Sequence, residues 1–170
     1  MQRVLLALVV GYVIVIAVTA VFGFCAEDSR FFAAHFGMGL FATLYTCLVY
    51  CILLTYFVIT GKLVKQAVLT GHLDEVLIKQ SQRPKGIIVM LTAVAVAITL
   101  TAALLGAWAN IGGEQDTIRN TYHMLAEILA VTANLASFGI CYRLVHRNGP
   151  FLEQVLSQVR RDQSLTTPYL

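Results

Sequence analysis

Charge is what this chain has least of. Only 12% of its 170 residues are Asp, Glu, Lys or Arg, against about 25% in an ordinary soluble domain. With 58% hydrophobic residues and a mean hydropathy of +0.77, so short a chain cannot hide its apolar surface in its own interior. A bilayer is the solvent that fits. The basic residues stand in clusters and not along one stripe, which argues against a nucleic-acid footprint. A nucleophilic triad, a phosphate loop and a dinucleotide fingerprint are all missing, and no independent catalytic activity is expected. Cys25, Cys47, Cys51 and Cys141 form no C-x-x-C pair. Three of them lie in apolar runs, where a thiol behaves as a small hydrophobe. A soft-metal site is the alternative for these, and the redox compartment stays open.

What is present is a set of long apolar runs. Four spans are read: 4–24, 30–60, 87–111 and 121–144. The first is too long for a signal-peptide apolar core of about 7–15 residues, so it is expected to be a retained helix. Ser29 suits an N-cap for the second, which is longer than a bilayer needs and is expected to tilt or protrude. Residues 61–86 are expected to form the main hydrophilic loop; the helical spacing of Leu63, Val64, Ala67 and Val68 carries span two past the interface to a stop at Gly71, and a short helix is expected near 73–79. Pro84 then sits just ahead of span three. Trp108 suits the interfacial aromatic belt. After Asn148-Gly149-Pro150, the residues Phe151, Leu152, Val155, Leu156 and Val159 make one apolar face, closed by Arg160 and Arg161. The tail 148–170 is therefore expected to be an amphipathic helix on the membrane surface or on a partner. The fold class is all-α integral membrane: residues 1–147 form an up-down-up-down bundle of four spans, followed by that tail.

Of the 12 Lys and Arg residues, only Arg30 and Arg119 fall at the two turns that also carry acids. The rest lie on the other side, which the positive-inside rule makes cytoplasmic. Both termini are expected there, in a bacterial inner membrane or its equivalent. The hairpins resemble each other. Thr19-Ala20-Val21-Phe22-Gly23 precedes His35, and Thr101-Ala102-Ala103-Leu104-Leu105-Gly106 precedes His123. Duplication and the sameness of apolar sequence both account for this.

Spans two and four run in the same direction. At 1.5 Å per residue, His35 and His123 sit at one depth, roughly 9–10 Å below the outer turns. Polar side chains in spans face the bundle interior, so the two imidazoles can bracket an object. Haem b is such an object, because its iron accepts an imidazole from each side. Gly23 and Gly106 lie at the right level to give a macrocycle room, with Ala20 and Ala102 nearby and Gly37 and Gly39 adding slack. Arg30 and Arg119 are the outer cations that suit propionates.

The arrangement resembles membrane-bound b-type cytochromes, in which histidines on the second and fourth helices bind haem and glycines on the first and third make space. The resemblance rests on the order of spans together with His35, His123, Gly23 and Gly106. It implies an electron-transfer subunit with one haem b, His35 and His123 being the ligands of the haem iron. Glu127 is the only carboxylate within a span and shares a helix face with His123. It is open to a neutral hydrogen-bonded state with Asn110 or a tyrosine, a proton relay, a contact to a quinone, or a His–His–carboxylate metal site. The alternatives are also open: interfacial histidines in a cofactor-free subunit that scaffolds a larger complex or a homo-oligomer, and a small transporter or channel. His72 and His146 read as solvated surface residues.

Overall fold

A computed structural model describes residues 1–25, 29–109 and 117–166, without the side chains of 29–30 and 162–166. Over these residues the chain is all helix: α1 (Gln2–Phe24), α2 (Ser29–Thr70), α3 (Val76–Ala109) and α4 (Thr117–Thr166). All four are long and apolar enough to cross a membrane. The expected Ser29 cap and the acidic turns lie outside what is described.

Helix lengths differ in a way that shapes the molecule. α1 has 23 residues, enough for one bilayer crossing, whereas α2 has 42, α3 34 and α4 50. A bilayer needs about 20. The surplus lies at one end, where α2, α3 and α4 continue beyond the first residues of α1. Span two continues past the interface to Thr70, as its helical spacing predicts, and the expected loop is corrected only on its far side, which is also helix. Residues 61–86 are helix on both sides of a short turn, and α3 begins at Val76, where the Asp74 carboxylate accepts the Val76 N–H at 2.8 Å. Pro84 therefore lies inside α3 and not ahead of it. The expected short helix at 73–79 is the turn plus the first residues of α3.

α2 stops at Thr70, directly before Gly71, where the stop was expected. His72, not Gly71, takes the left-handed conformation, with φ 48°. The Leu73 N–H reaches back to the Val68 carbonyl at 3.0 Å, and the Gly71 N–H to that of Ala67 at 2.9 Å, satisfying carbonyls that the end of α2 leaves open. Gly71 is small for another reason. A Cβ there would lie 3.1 Å from a methyl of Val159 on α4. The tail is also not a separate helix, because α4 passes through Asn148-Gly149-Pro150 without a break. Val145 and Val155, on either side of Pro150, are both buried. Asn148 donates to the Tyr56 hydroxyl at 3.1 Å. Packing on α2 holds the helix through a sequence that locally favours its end.

The core follows the helical period. On α2 a stripe of Ala42, Thr46, Val49, Leu53, Phe57, Thr60, Val64 and Ala67 is buried. On α3, Ser81, Ile88, Ala95, Ala102 and Ala109 are buried at heptad spacing, and the small side chains of Ser81, Ala95, Ala102 and Ala109 let neighbouring backbones approach. α1 touches α2 and α4, α3 touches the same two, and α2 and α4 meet each other across the middle. Cross-helix pairs fix the register. Gln2 meets His146 and Tyr12 meets Phe138, so residue numbers rise on α1 as they fall on α4. His35 faces His123 and Tyr50 bonds to Asn134, so they rise together on α2 and α4.

Candidate functional site

The diagonal contact of α2 and α4 brings His35 and His123 together. Their ring centres are 6.2 Å apart and the planes cross at 68°. Each ring also rests on a glycine of the preceding helix. A Cβ on Gly23 would lie 2.9 Å from His35 Cε1, and one on Gly106 would lie 2.7 Å from His123 Cε1. No real side chain fits in either position. The space each glycine leaves is thus taken by an imidazole, whereas the sequence suggested room for a macrocycle. The two hairpins repeat this Gly–His seat.

The rings differ in their outer contacts. His35 Nδ1 lies 2.9 Å from the Thr19 carbonyl oxygen. A carbonyl only accepts, so Nδ1 carries a proton, and in the neutral ring Nε2 is then the nitrogen that can act as a metal ligand. His123 Nδ1 is buried with no hydrogen-bond partner among the described residues. Glu127 lies one turn along α4 from His123, on the same helix face, and is half-buried.

The other expected site residues are placed as follows. Arg119 lies over the ring of Trp108, 5.0 Å from its centroid, a cation–π contact near the same end of the bundle. The side chain of Arg30 and all of Asn110 lie outside the described residues. Ala102 is buried on α3, but Ala20 is exposed, and Gly37 and Gly39 have nothing within 4 Å of a built Cβ. These last three do not line the histidine pair. Cys141 is a core residue, Cys51 and Cys25 are exposed, and no group of three or more His, Cys, Asp or Glu is placed to hold a metal ion among the described residues. The described residues thus supply neither a soft-metal site nor a His–His–carboxylate triad.

Below the pair the core is polar at one point that sequence reading passed over. Asn134 is fully buried and makes three hydrogen bonds. It accepts from the Tyr50 hydroxyl at 3.0 Å, and its amide donates to Thr99 Oγ1 at 2.9 Å and to the Ala130 carbonyl at 2.8 Å. Phe138 lies nearby between Tyr12, which it meets edge-on at 5.2 Å, and Tyr50, against which it is tilted at 5.3 Å. An asparagine in the middle of span four was the available signal.

The donor set and spacing fit a group held between two imidazoles. Metal–imidazole bonds of about 2.0–2.1 Å on opposite sides of one metal put the ring centres roughly 6 Å apart. One imidazole has its tautomer fixed for ligation, and both are backed by glycine. No family model, curated protein or solved structure matches the chain.

Proposed function

We propose that the chain is a membrane electron-transfer subunit that holds one haem b between His35 and His123. The observation that carries this reading is the mutual placement of the two rings, 6.2 Å apart, with His35 Nδ1 tied to the Thr19 carbonyl. Haem b supplies reversible one-electron chemistry. The chain's own residues orient the ligands. Thr19 fixes one ring, Gly23 and Gly106 let both rings stand close to their helices, and Arg119 and Arg30 provide cations for propionates near the same end. Glu127 is proposed as a neighbouring charge or proton-handling group and not as a ligand, with a quinone as one candidate partner for it.

The same proposal sets the orientation. The contact register supports an up-down-up-down order, and the basic residues of the three-helix extension make that end cytoplasmic. Both ends of the chain lie on that side, and the histidine pair lies near the outer face. In place of a surface-lying tail, we propose that the apolar face of 151–159 belongs to the three-helix extension, where Val155 is buried and Val159 meets Gly71.

The test is the visible spectrum of purified protein, with haem quantified as its pyridine complex. A Soret band at one haem per chain, lost in both His35→Ala and His123→Ala, is the expected result. A stable, colourless preparation that takes up no added haem overturns the proposal and favours a cofactor-free scaffold.

A further inference from the structure

The opposite end of the bundle holds a cleft. Its volume is about 470 Å³, and it opens where α1 begins and α2 and α4 run on past it. This lies within the roughly 300–1,000 Å³ range of small-molecule sites. Its polar lining is Gln2 and Arg3 from α1, Tyr56 from α2, and His146 and Glu153 from α4.

The hydrogen bonds define what these groups can offer. The Gln2 amide donates to His146 Nδ1, so the ring proton sits on Nε2, which remains a donor. The Tyr56 hydroxyl accepts from Asn148 at 3.1 Å, which leaves its own O–H to donate. Arg3 adds a guanidinium, whose planar donors suit a phosphate. Glu153 has the opposite sign, and no purely anionic ligand would need it there. Beside the cleft, Val4 and Leu6 on α1 and Tyr142 on α4 are exposed, so an apolar surface leads away from the polar lining.

A ligand with an anion, a hydrogen-bonding cation and an apolar body matches all three features. We propose that this cleft binds the headgroup of phosphatidylethanolamine, with its phosphate on Arg3 and His146 and its primary ammonium on Glu153. The acyl chains lie on the exposed face of α1. A choline headgroup fits less well, because a quaternary ammonium has no N–H to donate to the carboxylate. A glycerol headgroup leaves Glu153 facing no cation.

Native mass spectrometry of the full-length chain in detergent tests this, with phosphatidylethanolamine, phosphatidylcholine and phosphatidylglycerol of matched acyl chains. Glycerophosphoethanolamine serves as the chain-free probe. Phosphatidylethanolamine is expected to bind about fivefold more tightly than the other two lipids, the effect of one charge contact at a membrane surface. Arg3→Gln is expected to weaken all three lipids, and Glu153→Gln to remove only the preference for ethanolamine. Both residues are exposed, so neither change should disturb folding, and melting temperatures check this. Equal lipid binding by wild type and Arg3→Gln, or a preference for phosphatidylglycerol, overturns the proposal. Chain-free binding as tight as that of the lipid also overturns it, in favour of a soluble phosphate ligand.

Discussion

Gly106 and His123 approach so closely that the glycine cannot be replaced without moving the imidazole, since an added Cβ would lie 2.7 Å from Cε1 and 3.1 Å from Nδ1. In an open part of a helix, alanine is favoured over glycine by about 0.5–1 kcal/mol. Here overpacking works against that gain, at a typical cost of about 1–3 kcal/mol. Gly106→Ala is expected to lower the melting temperature and displace the His123 ring. Gly23→Ala should do the same to His35, slightly less, because its approach is 2.9 Å. Gly37→Ala and Gly39→Ala meet open space and should leave stability unchanged or raise it. Thermal unfolding in detergent across the four variants checks the pattern. Similar shifts in all four would mean that helix propensity alone is being measured.

Glu127→Gln separates a bis-imidazole site from one that recruits the carboxylate. Glu127 shares a helix face with His123, yet no three-residue ligand cluster is placed to hold an ion among the described residues. The variant is expected to keep full haem content and an unchanged axial-ligand spectrum. Loss of the chromophore would make Glu127 a ligand.

The level and direction of the histidines were legible because helix rise is fixed and lipid gives a polar ring nowhere else to turn. Their support was not. The Thr19 acceptor is a backbone carbonyl, which no side-chain pattern marks, and the Gly–His seats depend on how adjacent helices meet. Helix boundaries were misread at Pro84 and Pro150 for one reason. Local signals for stopping a helix are worth at most a few kcal/mol, and buried contacts such as Val155 and the Asn148–Tyr56 bond outweigh them.

Asn134 ties α4 to both α2 and α3 through side chains. Asn134→Leu removes the acceptor of the Tyr50 hydroxyl in the core, at a typical cost of about 1–3 kcal/mol for a buried polar group that loses its partner. The double variant Asn134→Leu with Tyr50→Phe removes both partners and should recover part of the loss. The measurement is a double-mutant cycle on thermal unfolding. Strict additivity would mean that the hydrogen bond contributes nothing.

Orientation is tested through a native thiol. Cys25 is exposed just beyond α1, on the end of the bundle that carries the histidine pair. Cys51 is exposed and Cys47 half-buried midway along α2, where the proposed surroundings are lipid, and Cys141 is buried. A thiol reacts as its thiolate, which forms only where water reaches it. A membrane-impermeant maleimide added to intact cells should therefore label the chain once, and Cys25→Ser should abolish the labelling. Opening the membrane should add nothing. If labelling appears only after the membrane is opened, the bundle is inverted, the histidine pair faces the cytoplasm, and the basic extension lies outside.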